Sequence, residues 1–250
     1  MKQFFNILIP MAGRGSRFKN AGYEDSKPFI DIKGKPMIVR VLENLNIEFD
    51  SNFKTILLTQ QEDFDKYDFA QIFNTIGHEN IEIVKLDGIT EGAACTLLLA
   101  KEFINNDTPI LSLNSDQLLD YNPEETYFPY KNYDGGIVCF DSDDIRFSFA
   151  KINENGLVSE VAEKKVISTN ATAGYYYWSK GSDFVKYAEQ MINANDRVNN
   201  EFYVAPVYNY AIKDGKRITI TYVDRIHSTG TPEQLEKFLN EESSYFIESL

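Results

Sequence analysis

Two glycines and three basic side chains fall within the ten residues MAGRGSRFKN, at positions 11–20 of a chain of 250 residues. The stretch directly follows FFNILIP, an apolar run that predicts a β-strand. The two glycines allow a tight turn and let backbone N–H groups approach an anion. Arg14 and Arg17 add positive charge beside those groups. The pattern therefore predicts a phosphate-holding loop at the end of a strand.

This loop matches neither of two common glycine-rich phosphate motifs. The dinucleotide motif needs a third glycine where this chain has Phe18, and the Walker motif needs a Gly-Lys-Ser/Thr sequence that is absent. A structural turn is therefore the alternative interpretation of the loop alone. The phosphate hypothesis is strengthened by Lys27 in KPFIDIKGKPMI, because nine residues separate it from Arg17.

A carboxylate suited to a metal ion follows another apolar run. Asp116 ends the stretch PILSLNSD, and its apolar part, residues 109–113, predicts a buried strand. Open α/β sheets place their ligands at the carboxyl ends of the strands. Since Mg²⁺ prefers oxygen ligands and shares itself between carboxylates and substrate phosphates, we predict Asp116 as its ligand. A local turn or a helix cap is the alternative.

Taken in order, these motifs resemble the sugar-nucleotide pyrophosphorylase type of nucleotidyltransferase. The family loop is Gly-x-Gly-Thr/Ser-Arg followed by Pro-Lys-Pro, and this chain has GRGSR followed by SKP. The further segments that resemble the family, in the family's order, are TEGAACTLLLA, LNSD, VAEKK, TAGYYYW and STGTPEQL. The resemblance implies transfer of a nucleotidyl group from a nucleoside triphosphate to a small phosphorylated acceptor, with release of pyrophosphate and with Mg²⁺ as cofactor.

The resemblance also assigns roles to residues. Arg17 would stabilise the pyrophosphate side and Lys27 would contact the α-phosphate, and together with Asp116 they are the expected catalytic residues. The expected nucleotide-binding residues are Met11, Ala12, Gly13, Arg14, Gly15, Ser16, Thr90, Glu91 and Gly92. The expected acceptor-binding residues are Glu163, Lys164, Gly174, Asn200 and Glu201.

Simpler interpretations exist for several of these residues. Residues 90–92 can simply begin a helix, and residues 163–165 can be a solvated charge run. The asparagines at 199–200 can cap a helix. Surface positions are the alternative for the basic residues Arg14, Arg17 and Lys27.

One position departs from the family. Ser228 in HSTGT stands where family members often carry a second metal-binding aspartate. Asp224 and Glu201 are the candidate replacements, and Asp116 with water is the remaining alternative.

Two segments, AGYEDSKPFIDIKGKPMI and RVNNEFYVAPVYN, resemble the cytidylyltransferase branch linked to bacterial capsule modification and phosphoramidate synthesis. That branch implies CTP as the nucleotide and L-glutamine phosphate as the acceptor. The polar residues that suit an amino acid's ammonium and carboxylate are Asn195, Arg197, Asn199, Asn200 and Glu201. A sugar-1-phosphate nucleotidyltransferase that uses UTP, dTTP or CTP is the alternative within the family.

Two further alternatives come from other classes of protein. A metal-dependent glycosyltransferase would use residues 114–116 as its metal motif. A non-catalytic nucleotide-binding regulatory subunit would keep the loop, but it would have less reason to keep Arg17, Lys27 and Asp116 together.

Composition limits the partners. A net charge of −13 argues against nucleic acid and acidic membranes as partners, because both require a basic surface. Since 43% of the residues are hydrophobic, the chain can bury a full core. We expect a single nucleotidyltransferase domain over residues 1–250, with a nucleotide-binding part over about 1–133 and an acceptor-binding part over about 134–250. The two cysteines lie in apolar runs and are predicted to be free thiols, and a cytoplasmic location is expected.

The elements that must position these residues alternate between strands and helices. This order predicts an α/β, Rossmann-like fold with a mixed, largely parallel central sheet and a small β-rich acceptor-side region. Predicted strands cover residues 4–10, 53–59, 81–86, 109–113, 135–140, 147–152, 156–161 and 172–178. Predicted helices cover residues 36–45, 92–104, 180–193, 202–212 and 231–239. Tyrosines 175–177 are expected to face alternately in and out of the sheet, and neither histidine has the spacing of a metal ligand.

The loop hypothesis predicts the effect of removing either cation. Arg17→Ala and Lys27→Ala should each lower turnover by about two orders of magnitude, because each removes charge from a site that concentrates negative charge. The free energy of unfolding should change far less. If both variants simply unfold, and their folded fraction is fully active, the loop is only structural.

Overall fold

The computed structural model of the chain describes residues 5–45, 53–78, 80–121 and 128–241. The strands among them are β1 (Phe5–Pro10), β2 (Asp31–Ile32), β3 (Lys35–Pro36), β4 (Phe53–Gln60), β5 (Ile81–Leu86), β6 (Ile110–Leu113), β7 (Gln117–Asp120), β8 (Gly135–Asp141), β9 (Ser148–Ile152), β10 (Val158–Glu163), β11 (Asn170–Trp178), β12 (Ile218–Tyr222) and β13 (Arg225–Ser228). The helices are α1 (Ser16–Asn20), α2 (Met37–Asn44), α3 (Gln61–Lys66), α4 (Phe69–Asn74), α5 (Ala93–Leu98), α6 (Lys101–Ile104), α7 (Gly181–Asn193), α8 (Val207–Lys213) and α9 (Pro232–Asn240).

Four parallel strands form one half of the main sheet, in the order β5, β4, β1 and β6. Helices cover both faces, so the central strand β1 is apolar at successive positions. Ile7 and Ile9 pack in one hydrophobic cluster with α2, and Leu8 packs in a second cluster with α5 and α7. Because the strands are parallel, the loops that follow them leave from the same edge of the sheet.

The same sheet continues into a mostly antiparallel half. Strand β11 pairs antiparallel with β6, β8 and β9, while β12 adds parallel to β8 at one edge. All nine residues of β11 are buried. Tyr175 and Tyr177 pack in the first cluster and Tyr176 packs in the second, which confirms the predicted alternation. The predicted α/β fold with a mixed central sheet is confirmed, and its β-rich part belongs to that same sheet.

Several predicted boundaries were wrong. The helix expected over 92–104 is divided into α5 and α6, with residues 99–100 between them. The helix expected over 202–212 begins only at Val207, and Pro36 precedes α2 instead of opening it. The pairs β2/β3 and β7/β13 escaped the sequence analysis because strands of two to four residues are too short to show a period.

The remaining expectations concern the cysteines, the histidines and membrane-spanning helices. Both cysteines are free thiols, but only Cys139 is buried, whereas Cys95 is partly exposed. His78 and His227 are buried, and neither belongs to a metal-binding cluster among the residues described here. Within the same ranges, no helix has the length and apolar character needed to cross a bilayer.

Burial of His78 predicts a loss of stability in acid. The imidazole is 2% exposed, and its Nε2 lies 2.6 Å from Thr55 Oγ1. Burial lowers the pKa of His78 from 6.5 to about 4. As the pH falls below 6.5 the unfolded chain binds the proton first, so up to about 3 kcal/mol of stability should be lost by pH 4.

Urea unfolding at several pH values between about 7.5 and 4.5 measures this loss. His78→Gln keeps a polar group beside Thr55 but does not titrate, so its stability should fall less steeply than that of the wild-type protein over this pH range. Equal slopes for the two proteins would contradict the assignment.

Candidate active site

A cleft of about 1200 Å³ opens where the parallel strands end. One wall consists of residues that follow β1, β5 and β6, and the opposite wall comes from β9, β10 and β11 and from the segment before α8. The predicted site residues that line it are Ala12, Gly13, Arg14, Arg17, Lys27, Thr90, Gly92, Asp116, Glu163, Lys164, Gly174 and Glu201. The structure thus brings together residues from seven separate segments of the sequence.

A salt bridge joins two of the predicted catalytic residues inside this cleft. Lys27 Nζ lies 2.6 Å from Asp116 Oδ2, and each side chain keeps about a fifth of its surface exposed (21% and 22%). Since both groups remain accessible, either can exchange its partner for a bound ligand. The Coulomb energy of such a partly exposed pair is small compared with that of a triphosphate and its counter-charges.

The turn that carries Lys27 is held firmly. Lys27–Phe29 form a single 3₁₀ turn in which Pro28 and Phe29 are buried. The Phe29 ring stacks on Tyr67 at 3.8 Å between ring centroids. Ser26 Oγ donates to Asp63 Oδ1 at 2.5 Å, and the Tyr67 hydroxyl accepts from the Ser26 backbone N–H at 3.1 Å. Packing against α3 and the residues after it therefore fixes the direction in which Lys27 points.

The glycine loop places its cations at the cleft and its first residue in the core. Met11 is 2% exposed and packs in the first hydrophobic cluster, so its side chain does not reach the cleft. Gly15 caps α1 with a φ of +57°, and neither it nor Ser16 lines the cleft. The exposed guanidinium groups of Arg14 and Arg17 form no ion pair or hydrogen bond with another residue in the described ranges, so both are available to an anion.

The residues near Asp116 indicate which other side chain is close enough to serve as a second metal ligand. The Asp116 carbonyl accepts hydrogen bonds from the Thr229 backbone N–H and hydroxyl, at 2.9 and 3.1 Å. A Cβ on Gly230 would lie 2.6 Å from Asp116 Oδ2. Ser228 lines the cleft, whereas Asp224 is exposed and does not. Asp224 as a replacement ligand was therefore wrong, and no cluster of three acidic, histidine or cysteine side chains occurs in the described part of the chain.

Charges of both signs line the part of the cleft that contains Glu163, Lys164 and Glu201. Ser148 Oγ donates to Glu163, whose pKa is raised mainly by burial and further by the charge of Glu201. Lys164 Nζ lies 2.5 Å from the Tyr203 hydroxyl. Burial lowers the pKa of Lys164, but this hydrogen bond and the nearby carboxylates outweigh it and raise the pKa overall. Both an anionic and a cationic group of a ligand can thus be met here.

Three members of the predicted acceptor segment, Asn195, Arg197 and Asn200, do not line the cleft. Asn199 and Tyr203 line it, but Asn200 does not. Arg197 also lies outside the lining, and its Nη2 donates to Glu91 Oε2 at 2.9 Å. The guanidinium of Arg197 is thus engaged within the protein, and its contact with an amino-acid acceptor stays a prediction.

Gly92 has a reason to be glycine that the sequence did not show. Its φ is +132°, and an added Cβ would lie 2.5 Å from the Phe202 carbonyl oxygen. Thr90 and Gly92, two of the expected nucleotide-binding residues, line the cleft. Glu91 does not line the cleft, and its side chain is 64% exposed.

Further residues of the cleft escaped the sequence analysis. Asn114, Ser115 and Gln117 flank Asp116, and their polar run at a strand end was the available signal. Others come from the helix start at Thr231 and Gln234 and from the loop before β9. The loop before β9 is rich in charge, with Asp143, Asp144 and Arg146, but its sequence does not indicate which of its side chains face the cleft. Asn114 and Ser115 were named only in the glycosyltransferase alternative, and the other lining residues of these segments are Gln117, Ile145, Arg146, Phe147, Ser148, Gly230, Thr231 and Gln234.

Comparison with known proteins agrees with this geometry. The family model described as nucleotidyl transferase matches residues 7–233. The structure of the nucleoside-diphosphate-sugar pyrophosphorylase from Vibrio cholerae RC9 is 24% identical, covers 94% of this chain and 100% of its own, and has a TM-score of 0.85. The inositol-1-phosphate CTP transferase from T. maritima is 12% identical, covers 98% of this chain and 95% of its own, and has a TM-score of 0.72.

A complex of UDP-glucose pyrophosphorylase with UDP-glucose is 17% identical, covers 98% of this chain and 100% of its own, and has a TM-score of 0.77. No curated protein sequence gives a significant match. Since the family model spans most of the chain, the chain belongs to the nucleotidyl transferase family. The nucleotidyltransferase interpretation is thereby favoured over the glycosyltransferase alternative.

A glycine beside Asn114 and Gln117 gives a test of the cleft's construction. Gly174 has a φ of +77°, and an added Cβ would lie 2.2 Å from Gln117 Oε1 and 2.3 Å from Asn114 Nδ2. Gly174→Ala should lower the free energy of unfolding by about 3 kcal/mol, since backbone strain and overpacking add. It should also lower turnover, because Asn114 and Gln117 flank Asp116.

Gly156→Ala is the matched control, because Gly156 has a φ of +74° and nothing within 4 Å of an added Cβ. Its cost should be about 1 kcal/mol from backbone strain alone, with normal turnover. Urea unfolding of both variants measures the difference. Equal stabilities would show that the space beside Gly174 is not restrictive.

Proposed function

We propose that this chain transfers a cytidylyl group from CTP to a small phosphorylated acceptor, with L-glutamine phosphate as the preferred acceptor, and releases pyrophosphate. The observation that supports this most is the meeting of Arg17, Lys27 and Asp116 in one cleft at the strand ends. Two cations and a carboxylate there suit a triphosphate and its counter-ion. We place the reaction in the cytoplasm, in the modification of capsular polysaccharide, with residues 1–250 acting as one domain.

The reaction needs little covalent help from the protein. An oxygen of the acceptor phosphate attacks the α-phosphorus of the triphosphate, and a new P–O bond forms. The bond between the α- and β-phosphates breaks, and pyrophosphate leaves with the electron pair. Since a phosphate monoester is already anionic at neutral pH, no general base is required. Positioning and charge therefore carry the catalysis.

Lys27 and Arg17 would supply that charge. Lys27 is the first residue of a turn whose other two residues are buried, which fixes its position. Lys27 would contact the α-phosphate, and Arg17 would stabilise the departing pyrophosphate. The backbone around Gly13 would hold the triphosphate. Each contact strengthens as negative charge moves to the leaving group, so each favours the transition state over the ground state.

Asp116 is the residue that would hold Mg²⁺. Its carboxylate lies in the cleft between Lys27 and Gly230. One carboxylate fits this ion, because Mg²⁺ keeps several waters and takes further oxygens from substrate phosphates. When bound, Mg²⁺ neutralises part of the triphosphate charge.

The acceptor is inferred from charge. A phosphorylated amino acid brings an ammonium, a carboxylate and a phosphate, and the acceptor side offers Lys164 with the carboxylates Glu163 and Glu201. A sugar 1-phosphate is the second candidate, supported by the fold shared with UDP-glucose pyrophosphorylase and the Vibrio cholerae nucleoside-diphosphate-sugar pyrophosphorylase. Cytosine and uracil carry their hydrogen-bond donors and acceptors in reversed positions at one edge of the ring. A preference for cytosine would rest on protein groups that pair with only one of these arrangements.

A competition assay tests the proposal. The protein is incubated with CTP, UTP, dTTP, ATP and GTP, with Mg²⁺, and with L-glutamine phosphate and hexose 1-phosphates, and the product is identified by mass. We expect a cytidylyl product of L-glutamine phosphate as the main species. A UDP- or dTDP-sugar as the main product would overturn the proposed substrates, and no pyrophosphate from any mixture would overturn the proposed transferase activity.

Two variants test the role of the carboxylate in the same assay. Asp116→Ala should lower turnover by about two orders of magnitude or more while the protein stays folded, and a chelator should stop the wild-type reaction. Asp224→Ala is the control, because Asp224 is exposed outside the cleft. Normal activity of Asp116→Ala would remove the metal hypothesis.

A further inference from the structure

Arg197 joins the two sides of the cleft without lining it. Its Nη2 donates to Glu91 Oε2 at 2.9 Å, and its Nη1 donates to the Asn200 carbonyl at 3.2 Å. Its Nε donates to Asn195 Oδ1 at 2.6 Å, and its guanidinium carbon lies 4.1 Å from the centroid of the Phe202 ring. One side chain thus contacts the segment before α5 and the whole turn that precedes Glu201.

The turn that Arg197 holds is strained. Asn195, Asn199 and Asn200 all have left-handed backbone conformations, with φ values of +51°, +48° and +65°. Such conformations cost free energy even for asparagine and persist only when surrounding contacts fix them. Because Arg197 bonds to both Asn195 and Asn200, it contributes directly to fixing that turn.

Backbone contacts connect this turn to the nucleotide side. The Phe202 N–H donates to the Glu91 carbonyl at 2.8 Å, and the Phe202 carbonyl accepts from the Ala94 N–H at 3.0 Å. Gly92 lies so close to Phe202 that no side chain fits between them. A shift of Phe202 must therefore move residues 91–94 as well.

The other end of the turn reaches the acceptor side. Glu201 and Tyr203 line the cleft, and Tyr203 contacts Lys164 through its hydroxyl and its ring. The short segment from Glu201 to Tyr203 therefore contacts the acceptor side, and Phe202 within it contacts the nucleotide side.

We propose that Arg197 is a positioning residue that couples the nucleotide and acceptor subsites through Phe202. This inference rests on the proposed function for the identity of the two subsites. Because residues 91–94 and the segment from Glu201 to Tyr203 meet at Phe202, a substrate that holds one subsite in place also restrains the other, and Arg197 keeps the turn between them from shifting. The coupling is then positive and equal in both directions.

Arg197→Met tests the proposal, since it keeps much of the apolar stem that covers Phe202 but loses the three polar contacts. We expect the KM values of both substrates to rise by about tenfold, with kcat per folded molecule changed less than threefold. Arg197→Lys should recover only part of the loss, because an ammonium cannot make the same divergent contacts. Glu91→Gln should have a smaller effect, since it removes only the exposed charge pair.

Arg225→Met is the matched control, because Arg225 is also an arginine in an ion pair, 3.0 Å from Glu241, but does not line the cleft or touch the turn. It should leave both KM values unchanged. A lower folded fraction of Arg197→Met with both KM values unchanged would show a purely structural role. A change in the acceptor KM alone would show that the two subsites are not coupled.

A binding measurement separates this proposal from the proposed function. The dissociation constants of CTP, UTP and dTTP are measured by calorimetry in the presence of Mg²⁺ for the wild-type protein and for Arg197→Met. Weaker binding to the variant supports the positioning role of Arg197 at the nucleotide subsite even where no turnover is found. Equal binding overturns that role alone, and failure of the wild-type protein to bind any triphosphate overturns both this inference and the proposed function.

Discussion

The contact between Lys27 Nζ and Asp116 Oδ2 brings together two loops that lie 89 residues apart in the sequence. It requires β1 and β6 to be parallel neighbours, so that the loops after them leave from the same edge of the sheet. It also requires the packing of Phe29 on Tyr67, which directs the Lys27 turn toward that edge. Most other features of the site are arranged around this pair of charges.

A protein with a large negative net charge is expected to repel an anionic ligand. A local cluster of cations explains how this chain can still bind one. The chain carries a net charge of −13, yet Arg14, Arg17 and Lys27 meet at the cleft. Such a cluster acts over about 8–10 Å at physiological ionic strength, so distant carboxylates are largely screened from it. The acidic surface elsewhere therefore does not prevent phosphate binding.

The antiparallel half of the sheet supplies the second wall of the cleft. Strand β11 pairs with β6 along its last residues and with β9 near its start, and its register to β8 shifts between Thr172 and Tyr176. Gly174 lies in that irregularity, directly against Asn114. One continuous sheet thus holds residues of both walls of the cleft in a fixed relation.

The sequence predicted the residues whose neighbours along the chain form a pattern. The glycine loop, Lys27 and Asp116 follow apolar strands, and the fold class follows from the alternation of strands and helices. The sequence did not predict the contacts of Arg197 with Glu91 or of Gly92 with Phe202. Those contacts join segments more than 100 residues apart, and no local period or spacing encodes them.

An experiment with labelled triphosphate is the most direct test of the claim that the cleft catalyses attack at the α-phosphorus. The nucleotide that gives turnover is supplied in two forms, one labelled at the α-phosphate and one at the γ-phosphate. The account predicts that the α-label appears in the acceptor product and that the γ-label leaves entirely in pyrophosphate. Transfer of the γ-label to the acceptor would show phosphoryl transfer instead and would contradict the account.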